Sequence, residues 1–198
     1  MTDPVVSRET RERLVFYGNE VKRWNRAINL VAPSTVDDLH HRHIADSLQL
    51  LPHLSVAGAL VDLGSGAGFP GLAIGIACPT HRVHLVESSG KKAGFLRRMV
   101  GALDLANVTV HATRIEAFGP QFGSADIITA RALASLDRLL TWSEPMIAPH
   151  TICLFPKGAR HAAEIDEARS QWSFDVDVIR STTHSDSALL RLTGIVRR

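Results

Sequence analysis

Cysteine is scarce in this 198-residue chain. Only Cys78 and Cys153 occur, each within an apolar element, which argues against a disulfide framework and points to a reducing compartment, the cytoplasm. No apolar run approaches the ~18 residues that a membrane span requires, because the longest stretch free of polar and charged side chains, Phe69 to Pro79, stops well short. Met1 to Arg13 is polar and charged rather than an apolar core behind a basic end, so no secretory leader is expected. Low-complexity tracts and internal repeats are lacking. So is an excess of one charge sign: the formal net charge is +2, which alone neither demands nor forbids a nucleic-acid partner. Tyrosine is confined to Tyr17. What is plentiful is apolar side chain, at 45% of residues, enough for a compact soluble protein of one domain with a modest extension.

The pattern of the chain changes near Gly58. Before it, Leu14, Val15, Val21, Trp24 and Ile28 recur at helical spacing, and Ser34 with Asp37 or Asp38 behind it predicts a cap for a second helix running to Pro52. Residues 1–58 therefore read as a helical extension packed on a core domain, residues 59–198. After Gly58 short apolar strands alternate with helices: strands at 60–63, 83–86, 108–111, 125–129 and 151–155, helices from Pro70, over 91–103, 134–143 and 159–171. This alternation predicts an α/β fold with a mostly parallel sheet and helices on both faces. The ending differs, because 176–180 and 189–196 are joined by the turn-prone STTHSDS with no helix, which predicts a terminal antiparallel hairpin.

In a doubly wound sheet, ligands bind beyond the carboxyl end of the first strand, where glycines allow tight turning and close backbone approach. VDLGSGAGFPG, residues 61–71, has that form and contains GxGxxG from Gly66 to Gly71. The pattern alone is weak, since dinucleotide and nucleoside cofactors share it. Asp62 tips the balance: a carboxylate beside the turn disfavours a pyrophosphate and favours a cationic ligand, hence S-adenosylmethionine over NAD. Glu87, ending the second strand, is placed to accept hydrogen bonds from ribose hydroxyls in either class.

These residues carry a resemblance. The loop VDLGSGAGFPG, RHIADSL (Arg42 to Leu48), RIEAF (Arg114 to Phe118), ARALASL (Ala130 to Leu136) and FPKG (Phe155 to Gly158), in order and spacing, resemble the RsmG (GidB) family, bacterial methyltransferases of N7 of a guanine in small-subunit (16S) ribosomal RNA. The similarity runs from about Trp24 to the C-terminus. It implies a class I S-adenosylmethionine-dependent methyltransferase fold and cofactor contacts at Gly64 and Phe69, while Gly66 and Gly68 are expected at the cofactor from the form of the loop they share. It also implies that Ile115 and Glu116 flank the adenine, and that Arg131 touches cofactor or acceptor.

The chemistry accords with what is missing. No Asn/Asp-Pro-Pro-aromatic tetrad for exocyclic amines follows the fourth strand, which reads ITARALASL, and neither cysteine is placed as a nucleophile for a pyrimidine carbon. Guanine N7 offers an in-plane lone pair and needs no general base, so alignment is the main requirement. Arg131 and Lys157 are then expected to position substrate. Lys22, Arg23, Arg26, Lys91, Lys92 and Lys157, with His43, are the expected RNA contacts, since phosphate contacts position a substrate without reading its sequence. The cluster HHRHIAD can be drawn as a metal site through His40, His43 and Asp46, but it lacks a further ligand at defined spacing. No metal is expected. The expected partner is small-subunit ribosomal RNA or its ribonucleoprotein particle, met by a monomer away from any membrane. Two other classes compete: an NAD-type oxidoreductase, disfavoured by Asp62 and by the position of Tyr17 in the first helix, and a non-catalytic nucleotide-binding regulator.

Overall fold

The computed structural model describes residues 6–54 and 57–198. The stretch Met1 to Arg13 read above as lacking a leader thus begins, over residues 1–5, outside the described residues. Helix α1 (Arg8–Ile28) starts where the Ser7 hydroxyl accepts from the Thr10 amide at 3.1 Å and ends where Asn29 turns left-handed. Its apolar stripe, Leu14, Tyr17 and Val21, is buried against the core.

The second helix expected from Ser34 to Pro52 is broken into pieces. A 3-10 turn at Pro33–Thr35 is followed by a π-helical segment, His40–Ala45, then helix α2 (Asp46–Leu48) and another 3-10 turn at Leu51–His53. Prolines at both ends break the pattern, and the Ser47 hydroxyl donates to the His43 carbonyl at 2.6 Å within the wide turn. As shown below, the wide turn presents Arg42, His43 and Asp46 together.

The alternating region continues through β1 (Ala59–Leu63), α3 (Gly71–Ala77), β2 (Arg82–Val86), α4 (Gly90–Ala102), β3 (Val108–His111), α5 (Ile115–Phe122), β4 (Ile127–Ala130), α6 (Leu136–Ser143), β5 (Ile152–Lys157), α7 (His161–Ala168), β6 (Trp172–Arg180) and β7 (Ala188–Arg197). Helix α5 is not among the helices the sequence predicts, because Gly119 and Pro120 interrupt its pattern. The seven strands lie in the order β3-β2-β1-β4-β5-β7-β6, with β7 antiparallel to both neighbours and the remaining core strands parallel. All of β1 is buried, as expected of a strand covered on both faces.

One face is packed by α1, the broken segment, α3 and α4; the other by α5, α6 and α7. The extension therefore shares the core of the sheet. Its deepest link is Tyr17, fully buried, whose hydroxyl donates to the Ala67 carbonyl in the glycine loop at 2.7 Å and whose ring lies 5.1 Å from that of Phe69. Removing the hydroxyl by Tyr17→Phe leaves a carbonyl acceptor without its donor in the interior. The variant is expected to lose about 1–3 kcal/mol of unfolding free energy in urea titrations, and an unchanged midpoint would show that Ala67 is satisfied in another way.

Candidate active site

The strand order reverses between β1 and β4, and a cavity of about 830 Å³ opens at the carboxyl ends of these strands, where ligands bind in open α/β sheets. The turn after β1 forms its floor. Gly64, Gly66 and Gly68 have φ of 61°, 57° and 103°, a left-handed region that side chains disfavour. A Cβ on Gly64 would lie 2.7 Å from the Leu133 side chain, and one on Gly68 2.8 Å from the Tyr17 hydroxyl. Those two glycines admit neighbouring protein against the loop. Gly64 and Gly66 both border the cavity, but a Cβ on Gly66 would meet nothing nearer than 3.8 Å. That open approach is the cradle a ligand needs.

Glu87, at the end of β2, is 8% exposed and borders the cavity. One carboxylate oxygen accepts the Gly66 amide at 2.8 Å, the other the Ser89 amide at 2.7 Å. It thereby braces the loop while leaving lone pairs toward the cavity. Ile115 and Glu116, at the start of α5, border the same space, as do Phe69, Lys92 and His43.

Asp62 lies elsewhere than the sequence suggested. Its side chain is fully buried beneath the loop, away from the cavity lining, and Oδ1 accepts the Thr129 hydroxyl at 2.8 Å across the β1–β4 pairing. Oδ2 has no partner of good geometry among the described residues. Burial pushes the carboxyl up to about 6, opposed first by the hydrogen bond from Thr129. It props the loop from below and contributes charge to the site only through the protein interior.

Arg131 follows β4 and reaches across the cavity. Its Nη1 donates to the Asp46 carboxylate at 3.0 Å and to the Arg42 carbonyl at 3.1 Å, its Nη2 lies 2.7 Å from His43 Nδ1, and its guanidinium carbon sits 5.4 Å from the Phe69 ring centre. Guanidinium only donates, so His43 Nδ1 must accept. The Thr35 hydroxyl spends its proton on the Ala32 carbonyl and so receives the proton of His43 Nε2 at 2.7 Å. His43 is therefore a neutral imidazole protonated on Nε2. Its basicity agrees: burial, with the Arg131 charge adding, lowers it to about 4. The other Asp46 oxygen accepts from Gln49 and from the Thr183 hydroxyl, at 2.8 and 2.7 Å. His43 and Asp46 thus meet through Arg131 and not with each other.

Lys157 ends β5, but its ammonium is not free. It is 2.6 Å from both the Glu164 carboxylate and the Ala134 carbonyl, and the residue is only 9% exposed. Lys22, Arg23, Arg26 and Lys91 lie outside the cavity lining. Arg23 and Arg98 approach Glu20 at 3.4 and 3.9 Å, and Arg98 stacks on Trp24, which joins α1 to α4. Arg26, Lys91 and Lys92 have no carboxylate partner among the described residues, so their charge is available to solvent. No group of three or more His, Cys, Asp or Glu among the described residues is placed to hold a metal ion, and no described helix is long and apolar enough to cross a membrane.

Comparison with known proteins follows the same lines. The family described as "GidB: rRNA small subunit methyltransferase G" matches residues 10–190. Curated proteins named ribosomal RNA small subunit methyltransferase G are 45% identical in Cereibacter sphaeroides, over 96% of this chain and 93% of that one, and 48% identical in Rhodospirillum centenum, over 98% and 88%. Among solved structures, an O-methyltransferase from Bacillus cereus in complex with SAH shares the fold at TM-score 0.61 and 15% identity, covering 90% of each chain. The glycopeptide N-methyltransferase MtfA complexed with S-adenosylmethionine does so at TM-score 0.58 and 14% identity, covering 76% of this chain and 93% of that one.

The imidazole and the buried carboxyl give opposite pH dependences. His43, lowered to about 4 in the fold from 6.5, binds its proton more tightly in the unfolded chain, so its penalty is absent above 6.5 and grows as pH falls toward 4. Asp62, raised to about 6 from 3.8, favours the folded state at low pH and loses that advantage as pH rises through 6. The difference between parent and His43→Gln isolates the first. Between about pH 7 and about pH 4.5, urea titrations should show the parent losing about 1–2 kcal/mol more than the variant, after allowance for partial exposure of the ring. Parallel pH profiles would mean that His43 carries a proton in the folded state.

Proposed function

The chain belongs to the rRNA small subunit methyltransferase G (GidB) family, and from that premise we propose that it transfers a methyl group from S-adenosylmethionine to N7 of a guanine in small-subunit ribosomal RNA. The observation that carries the reading is convergence: the glycine loop, Glu87, Ile115, Glu116 and Arg131, scattered over the sequence, border one cavity at the strand ends. The residues fit the cofactor. Gly66 leaves the close approach, Glu87 offers acceptor oxygens suited to ribose hydroxyls, Ile115 and Glu116 flank the adenine, and the N–H groups of Arg131 not taken by Asp46, Arg42 and His43 suit the methionine carboxylate. When bound, the cofactor supplies an electrophilic methyl on a sulfonium.

With that methyl in place, transfer to the N7 lone pair would leave the carbon–sulfur bond electrons on sulfur and would require no proton to move. The site is consistent with this. Both nitrogens of His43 are already bonded, which leaves that imidazole no free lone pair to act as a base. What the protein contributes is orientation and a preorganised polar wall. Lys92 at the rim and Arg26 and Lys91 outside it are placed to hold phosphates, in a bacterial cytoplasm where the small subunit is made. Lys157, tied to Glu164, acts on the substrate only through the wall that the pair builds.

Assay of methyl transfer onto naked RNA, immature particles and mature subunits, with the product nucleoside identified, tests the reading. Recovery of 7-methylguanosine is expected, and methylation at another atom or none would refute it. Glu87→Ala should weaken S-adenosylmethionine binding, measured calorimetrically without RNA, by about 1–3 kcal/mol, because a ribose acceptor and a brace of the loop are lost together. Unchanged affinity would place the ribose elsewhere. Replacing Lys22, Arg23 and Arg26 together by alanine should raise the Michaelis constant for RNA and flatten its salt dependence, by roughly one unit of slope per lost phosphate contact. Equal slopes would reduce the cluster to a solvated helix face.

A further inference from the structure

The cavity has a second half that the cofactor assignments do not fill. It is bordered by Leu133 and Ala134 after β4, Trp142 on α6, Pro156 and Lys157 at the end of β5, and Glu164 on α7. A carboxylate here is unexpected in a cleft that must admit a polyanion. Four carboxylates border the cavity: Asp46, Glu87, Glu116 and Glu164. Asp46 has both oxygens bonded within the protein, Glu87 both on backbone amides, and Glu116 is exposed. Glu164 is different. Its Oε2 accepts from Lys157 Nζ at 2.6 Å and from the Leu136 amide at 2.8 Å, whereas Oε1 accepts no hydrogen bond among the described residues. Two donors on one oxygen fix the carboxylate plane, so the second oxygen is held in a set direction with two lone pairs unused.

We infer that Glu164 is the residue that selects guanine, with Oε1 accepting the N1–H and N2–H donors of the target base, an assignment that rests on the guanine-N7 reading above. Guanine is the ribonucleobase that pairs these two adjacent donors with an N7 on its far edge, so a base anchored at Oε1 presents N7 away from α7. Adenine offers an acceptor at N1 and would face Oε1 lone pair to lone pair. Leu133, Trp142 and Pro156 supply apolar surface for the ring, and the Arg138 guanidinium, 4.7 Å from the Trp142 ring centre, steadies that indole. The contact also assists the reaction. As N7 takes the methyl the ring becomes cationic and N1–H more acidic, so its hydrogen bond to a carboxylate strengthens toward the transition state, the condition under which binding raises turnover.

The test is Glu164→Gln. The amide oxygen can keep the bonds to Lys157 and to the Leu136 N–H, which preserves the support of α6, while the amide nitrogen replaces Oε1 and opposes donor to donor. Small subunits reconstituted with guanosine or inosine at the position the parent enzyme methylates provide the second arm, because inosine keeps N7 and N1–H but lacks the N2 amine. The parent should prefer guanosine by roughly tenfold in kcat/KM. Glu164→Gln should lose roughly 100-fold in kcat on guanosine, retain the parent's affinity for S-adenosylmethionine, and methylate the two substrates at nearly equal rates. An undiminished guanosine preference in the variant would overturn the assignment even if its activity fell, since loss of structure alone does not erase a preference for one amine. Failure of the parent to form 7-methylguanosine on naked RNA, immature particles and subunits alike would instead overturn the underlying reading, and the assignment with it.

Discussion

The guanidinium of Arg131 joins parts of the chain that are far apart in sequence. It binds the π-helical segment through the Arg42 carbonyl, His43 and Asp46, and stacks over Phe69 of the glycine loop. Through Asp46 it reaches Thr183, in the turn between β6 and β7. With side-chain exposures of 17% and 11%, the Arg131–Asp46 pair is largely out of water. Breaking such a pair costs more than forming it gains, because the partner left behind is a charge without compensation. Within this broken segment the Arg42 carbonyl, the His43 imidazole and the Asp46 carboxylate all meet the one guanidinium.

The glycine loop depends on the same wall. Tyr17 holds its Ala67 carbonyl from one side, Glu87 its Gly66 amide from another, and Asp62 lies beneath it against Thr129. A loop ordered by these contacts before any ligand arrives loses little entropy on binding. Tyr17 belongs to the extension and Phe69 to the core domain, so the extension helps support the cavity that Phe69 borders. It is the outer wall of the cleft as well, since Leu30, Val31, Ala32 and Thr35 border the cavity.

Strand and helix alternation made the sheet legible from sequence, and the terminal hairpin was readable from the absence of a helix between 180 and 189. The ends of the strands were legible too, which is why Gly64, Gly66, Glu87 and Arg131 could be placed at one site. Side-chain direction was not. Asp62 is held beneath the loop by Thr129 on the neighbouring β4, a partner 67 residues away that no local pattern reveals. Lys157 read as a free cation because its partner Glu164 is in the next helix, and the pairing requires knowing how α7 returns over β5. Tyr17 carried a signal that was available, a lone tyrosine in an apolar helical stripe, but its acceptor lies fifty residues away. The basic runs on α1 and α4 were legible as runs, whereas their mutual contact through Glu20 and Trp24 was not.

In the proposed function Arg131 holds the methionine carboxylate, and Asp46, bonded to its guanidinium at 3.0 Å, positions it, so that the two form one clamp. A double-mutant cycle on S-adenosylmethionine affinity, measured calorimetrically in the absence of RNA for the parent, Arg131→Ala, Asp46→Ala and the double variant, tests it most directly. The account predicts strong non-additivity, with the double variant binding about as weakly as Arg131→Ala alone, since each single change already disables the clamp. Additive losses, or an Asp46→Ala variant that binds as the parent does, would contradict it.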